Sequence, residues 1–293
     1  MISKTKFIGL LAILPLVLTI VVASYANETS ALKSEGTLLP QTGSANSPVC
    51  GDQLCSEVTT ASMDDKNKQE STEVQYTYRQ DFLPVKKIDL ELEKTAIFIT
   101  DPQNDFLSEG GAAWPLVGEE VINDKVVEHQ IALVAAAKEV GIPVFYSPHT
   151  YTEMDYANWT LLNPIDQIMF DIDMFHQGTW GHDFHPDLVP NDMTVVMNPH
   201  KGLSNFHAGD AKMQLRQYGI ETLIMAGMSA NLCVESHLRD AIENGFEVIV
   251  IADATAGAGP HAKNAALINF EFIANEVTVT DDIISRLQQA ANS

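Results

Sequence analysis

The sequence predicts an α/β fold: a parallel sheet covered by helices on both faces. Three observations predict it. Short apolar runs of strand character recur at residues 94–100, 143–147, 193–197, 222–226, 246–251 and 276–280. Segments of helical periodicity stand between them, and strands that alternate with helices imply a parallel sheet. From residue 85 onward there is neither an internal repeat nor a second shift in composition. About two hundred residues is ample for one core in one domain.

The chain opens with two lysines and no acid, followed by an almost unbroken apolar run over residues 7–22 and then Ser24-Tyr25-Ala26. This is the pattern of a secretory signal peptide over residues 1–26. The apolar run is short for a bilayer span of about 20 residues, so cleavage is expected rather than membrane insertion. No twin-arginine pair is present, which points to an ordinary export route and a periplasmic or secreted protein. Residues 27–84 are rich in Ser, Thr, Glu, Gln, Asn and Lys with little apolar periodicity, and read as a flexible tail. The tail holds Cys50 and Cys55, two of the three cysteines. In an oxidising compartment they could close a small disulfide loop, which leaves Cys233 as the odd thiol. A metal reading of the pair is weaker, because no second pair of ligands follows nearby.

In the globular part, 85–293, the strand at 94–100 ends at Asp101-Pro102, since proline cannot continue a ladder. Residues 119–140 read as one helix, stopped by Gly141 and Pro143. His149 closes the strand at 143–147. Residues 151–190 form a long insertion that holds Trp159, Trp180 and the histidines His176, His182 and His185. Long segments at this edge line a pocket or an interface. The three histidines match no ligand spacing, so an ordered loop is expected there rather than a metal site. Lys201 follows the strand at 193–197. Residues 211–218 are helical, and Gly219 stops them. The strand at 222–226 runs into Met228-Ser229-Ala230-Asn231-Leu232-Cys233, after which Val234, Leu238 and Ala241 repeat at helical spacing. Ala256-Gly257-Ala258-Gly259-Pro260 lacks the lysine of a phosphate loop and reads as a connection. Asp281 is placed to cap a last helix.

Three strand ends therefore present Asp101, Lys201 and Cys233. In a parallel sheet the site lies at the carboxyl ends of the strands, near the switch in strand order. Cys233 opens a helix, where unpaired N–H groups and the dipole favour a thiolate; the alternative is a buried structural cysteine. Asp101 is either a general base or a turn cap. A lysine is ordinarily a solvated charge, but at this strand end it could hold the carboxylate ionised. Together the three can run acyl transfer, with the backbone N–H groups of the turn holding the oxyanion. The formal net charge of −22, from 39 acids against 17 bases, disfavours nucleic acid and anionic membrane as partners.

The segments Ile99-Thr100-Asp101-Pro102-Gln103-Asn104-Asp105-Phe106, His200-Lys201-Gly202-Leu203-Ser204-Asn205-Phe206 and Gly227-Met228-Ser229-Ala230-Asn231-Leu232-Cys233-Val234-Glu235-Ser236 resemble the isochorismatase-like cysteine hydrolase superfamily. That superfamily includes nicotinamidases, N-carbamoylsarcosine amidases and ureidoacrylate-type amidohydrolases. The resemblance implies a six-stranded parallel sheet of Rossmann-like order and an Asp-Lys-Cys triad at Asp101, Lys201 and Cys233. It also implies a cis peptide between Met228 and Ser229, oxyanion donors at the N–H groups of Ser229 and Cys233, and a homo-oligomer. Ala230 and His237 stand where many relatives carry threonine. The Asp-x-His spacing of metal-binding nicotinamidases is missing, so neither a metal nor another cofactor is expected.

The expected function is hydrolysis of a small amide, carbamoyl or ureido C–N bond through a thioester. Gln103, Phe106, His149, Trp180 and Phe206 are the expected pocket residues. The alternatives are a vinyl-ether hydrolase of the isochorismatase type, a non-catalytic binding protein on the same fold, and a redox role for the cysteines.

Overall fold

The computed structural model describes residues 83, 84 and 86–293. The expected signal peptide, most of the polar tail with Cys50 and Cys55, and the cleavage point lie outside the described residues. Six strands form one sheet: β1 (Thr95–Thr100), β2 (Val144–Ser147), β3 (Thr194–Val196), β4 (Thr222–Met228), β5 (Glu247–Ala256) and β6 (Glu276–Thr278). All pair in parallel, in the order β3-β2-β1-β4-β5-β6. The chain builds outward from β1 in one direction, then returns to start β4 on the other side. The switch in strand order therefore falls between β1 and β4, and a crevice opens outside their carboxyl ends.

The pleat sends alternate residues to opposite faces. Ala96 and Phe98 of β1, Leu223 and Met225 of β4, and Val248 and Val250 of β5 point to one face. They pack there with α7 (Ala211–Gln217), α8 (Glu235–Glu243) and α9 (Pro260–Ile273). Ile97 and Ile99, Ile224 and Ala226, and Ile249 and Ile251 point to the other face, against α3 (Val126–Val140) and α10 (Thr280–Ala291). Each such side chain larger than alanine contributes about 1.5–3 kcal/mol on burial. A third apolar cluster covers the strand ends. It joins Phe106, Val117 and Val121 to Tyr151, Met169 and Phe175 from the insertion and to Met228 at the end of β4.

Three local expectations are corrected. The single helix expected at 119–140 is two helices, α2 (Trp114–Asn123) and α3, because Lys125 between them has a left-handed φ of 52°. The break lets α2 pack over the strand ends while α3 packs on the sheet face. β5 runs on to Ala256, where Thr255 and Ala256 pair with Gly227 and Met228 beyond an irregularity in register. The last helix is not capped by Asp281: the Thr280 N–H donates to Asp253 Oδ1 at 2.9 Å, a partner supplied by β5. The Met228–Ser229 peptide is cis. Gly227 has φ +123°, and a Cβ there would collide with the Thr100 backbone, so only glycine lets β4 lie this close to β1.

Candidate active site

Asp101 stands at the end of β1, where Pro102 stops the ladder and the residue turns left-handed with φ 50°. Its N–H still bonds Ser147 O of β2 at 2.9 Å, so the sheet fixes where the carboxylate sits. That carboxylate is fully buried. Its Oδ1 accepts from His200 Nε2 at 2.9 Å, while Oδ2 has no hydrogen-bond partner. The other ring nitrogen of His200, Nδ1, is 3.1 Å from Gly202 O. Both ring nitrogens of His200 thus face oxygen atoms. Burial alone would raise the Asp101 pKa, but the charge and hydrogen bond of His200 hold it well below the usual carboxylate range.

His149 lies at the end of β2, beside His200 in a parallel bridge. Gln103 anchors it from both sides of its peptide: Oε1 accepts the His149 N–H at 2.7 Å and Nε2 donates to His149 O at 3.0 Å. The His149 ring stacks on Phe175 with centroids 4.6 Å apart. Its Nδ1 is 3.7 Å from Asp101 Oδ2, too long for a hydrogen bond, and neither ring nitrogen has a partner. Burial, then the nearby His200 charge, pushes its pKa down to about 4, so the ring is neutral near pH 7.

Cys233 sits in a π-helical turn, Ala230–Val234, between β4 and α8. Such turns are rare and frequent at functional sites. The thiol is 2 % exposed. Contrary to the expectation of a thiolate at a helix start, its pKa lies well above the usual thiol value. Burial is the main cause, and the adjoining Asp101 carboxylate adds to it, while the N–H groups of Ser229 and Cys233 lower it in part. At rest the site holds a neutral thiol against an ionised carboxylate. His237, one turn into α8, locks the turn. Its Nδ1 donates to Cys233 O at 2.6 Å and its Nε2 accepts the Asn205 N–H at 3.0 Å. Burial and the His200 charge push its pKa down to about 3, in keeping with this neutral tautomer.

Lys201 pairs with another carboxylate. Its Nζ is 2.5 Å from the Asp155 carboxylate and its side chain is 38 % exposed, whereas the groups within ion-pair distance of Asp101 are His149 and His200. The residue before it turns inward instead, where an isolated parallel bridge joins His149 to His200 beyond the end of the β2–β3 ladder. Gln103 uses both ends of its amide on His149 and His182 backbone, so it positions His149 rather than facing a ligand. Phe106 packs edge-on against Phe175 at 5.2 Å, one layer behind His149. Trp180 is 50 % exposed, its carbonyl held by Asn104. Phe206 belongs to the core beneath the site, stacked on Phe98 and edge-on to His237. The loop histidines are bonded separately: His176 to Asp173, His182 to Thr150 and His185 to the Asp187 N–H.

His200, His237 and Phe175 had no role assigned from sequence. One signal does point to His200: Pro148-His149 and Pro199-His200 are the same dipeptide at the ends of neighbouring strands.

The arrangement places a thiol, a carboxylate and the His200 imidazole that bonds it together, with two backbone donors at the sulfur. Asp101, His149 and Cys233 also offer metal-ligating atoms that lie within 4.8 Å of one another.

The model of the isochorismatase domain matches residues 95–282. The ureidoacrylate amidohydrolase RutB of Pseudomonas syringae pv. syringae is 31 % identical over 215 residues, covering 68 % of this chain and 87 % of the relative. RutB of Methylorubrum extorquens is 32 % identical over 198 residues, covering 63 % and 79 %. Among solved structures, a cysteine hydrolase from Pseudomonas syringae pv. phaseolicola superposes with a TM-score of 0.62 at 22 % identity, over 71 % of this chain and 98 % of the other. A putative isochorismatase hydrolase from Oleispira antarctica gives 0.53 at 25 %, over 68 % and 100 %. With the domain match running from the first residue of β1 into α10, over a parallel sheet whose switch point carries the cysteine, this chain belongs to the isochorismatase-like superfamily of hydrolases.

Proposed function

We propose that this protein hydrolyses a small amide, carbamoyl or ureido C–N bond, with Cys233 as nucleophile and Asp101 as acid and base. The buried contact of thiol and carboxylate, with backbone N–H groups aimed at the sulfur, carries this reading. The names of the relatives at 31–32 % identity supply the substrate class.

Because the thiol is neutral at rest, its proton passes to Asp101 only as the substrate carbonyl arrives and attack begins. The sulfur bonds to the carbonyl carbon, and the N–H groups of Ser229 and Cys233 hold the oxyanion. Protonated Asp101 then gives the proton to the leaving nitrogen, and the amine or ammonia departs from a thioester. Asp101 next takes a proton from water, the hydroxyl attacks the thioester, and the free acid and thiol are restored. His200 takes the part expected of Lys201: its charge keeps Asp101 ionised between these steps. The unpartnered ring nitrogens of His149, whose ring stacks on Phe175, are the polar atoms offered to a planar substrate.

Ammonia release from a panel of amides and ureido acids, wild type beside Cys233→Ala, tests this. The expected result is release by wild type and a drop of at least about a thousandfold in the variant. Turnover of a vinyl ether that survives Cys233→Ala would sink the cysteine mechanism.

A further inference from the structure

The free atoms of the site share one geometry that hydrolysis does not require. Asp101 Oδ2, the two ring nitrogens of His149 and the Cys233 sulfur are all buried, and one ligand atom from each residue joins a common cluster. The first three have no hydrogen-bond partner, although unpaired buried polar atoms are rare and costly. Asp101 Oδ2 and His149 Nδ1 face each other at 3.7 Å. That gap is too wide for a hydrogen bond, and it is near the separation of two ligands around one small cation. The sulfur completes a set whose ligand atoms all lie within 4.8 Å of one another.

We propose that Asp101, His149 and Cys233 form a binding site for a thiophilic divalent cation of the zinc type, and that its occupancy switches the enzyme off. Carboxylate, imidazole and thiolate are the ligands zinc takes, and three protein ligands leave a fourth position for water. The second layer of the site is already in place. His200 bonds Oδ1 and leaves Oδ2 free to bind, and Gln103 fixes the His149 backbone on both sides. On binding, the S–H bond of Cys233 breaks, sulfur bonds the cation and the proton leaves to solvent. The two anionic ligands then balance the dication. The site stands on this geometry alone; the inhibition rests on Cys233 and Asp101 being the catalytic pair.

Cobalt is the probe, because its spectrum reports both the sulfur bond and the coordination number. The protein is the full chain carrying Cys50→Ser and Cys55→Ser, so that Cys233 is the one thiol present. One equivalent of Co²⁺ is expected to give a thiolate-to-cobalt charge-transfer band and the intense visible bands of a four-coordinate ion, both erased by Zn²⁺. Cys233→Ser, which is nearly isosteric, and His149→Gln each lose these bands. His176→Gln, in the insertion and bonded to Asp173, keeps them. No one-equivalent binding, or bands that persist in His149→Gln, overturns the site. With the site present, Zn²⁺ should abolish ammonia release and a chelator restore it. Bands without loss of turnover would uphold the metal site and overturn both the switch and the nucleophile assignment.

Discussion

At the scale of single residues, the neighbours His200 and Lys201 separate two accounts of the site. His200 is buried on the Asp101 carboxylate, and Lys201 is half exposed on Asp155. Removing a preorganised charge next to the reacting groups costs roughly 100- to 1000-fold in rate. We expect His200→Ala to lower kcat/KM on the substrate found by the panel by that order. Lys201→Ala should stay within a few-fold of wild type. The reverse ranking would return the cation role to Lys201. The sequence made the positions of Asp101 and Cys233 legible, because both follow a strand end that composition and proline make visible. It did not single out His200, because β3 is short and its end irregular, so the register of Pro199-His200-Lys201 against β2 is set by a tertiary bridge. The free thiolate expected of a helix start failed for a related reason: burial and a neighbouring carboxylate outweigh a dipole.

At the scale of elements, α4 (Glu153–Asn158) is the part most open to testing. It follows Tyr151, whose hydroxyl accepts the Gly202 N–H at 3.3 Å, and it carries Asp155, the partner of Lys201. Two links therefore tie the insertion to the strand end that bears His200, above a thiol that is 2 % exposed. An ion pair with one partner this exposed is worth only about 0–1 kcal/mol to the fold. Lys201→Ala is thus expected to leave the unfolding midpoint almost unchanged while iodoacetamide modifies Cys233 several times faster. An unchanged alkylation rate would show that α4 does not control access. The long central strands and the helices of the second half were legible as apolar runs and periodic stripes. The break between α2 and α3 was not, since one left-handed residue leaves no mark on periodicity. Nor was the path of the insertion, which is held by contacts such as Asp105 Oδ2 with the Phe175 N–H, 70 residues apart.

At the scale of the whole molecule, two neutral histidines sealed at the site couple folding to pH. His149 and His237 have pKa values of about 4 and about 3 in the fold, against 6.5 ordinarily. Below about pH 6.5 the unfolded chain binds protons that the folded chain refuses, so stability falls as pH drops, until these lower values are passed. Asp101, held low, adds to the loss only below about pH 4, where the unfolded carboxylate would be protonated. The combined loss is on the order of several kcal/mol. Denaturant midpoints measured from pH 7 down to pH 4 should fall steadily, and His149→Gln should flatten the slope. A flat profile in wild type would mean that the rings take up protons inside the fold.

The pairing of β1 with β4 has one more consequence. Residues 95–100 lie opposite 222–227, position by position, and the last pair, Thr100 with Gly227, is pressed together where no side chain fits. Asp101 follows immediately on one strand and the cysteine turn on the other. The distance between Asp101 and Cys233 is therefore not adjustable by any hinge; it is a property of the sheet itself. In rising denaturant, turnover and the far-ultraviolet signal of the sheet should disappear at the same concentration. Wear on this enzyme would then be all or nothing, with no population that keeps its shape but has lost its aim.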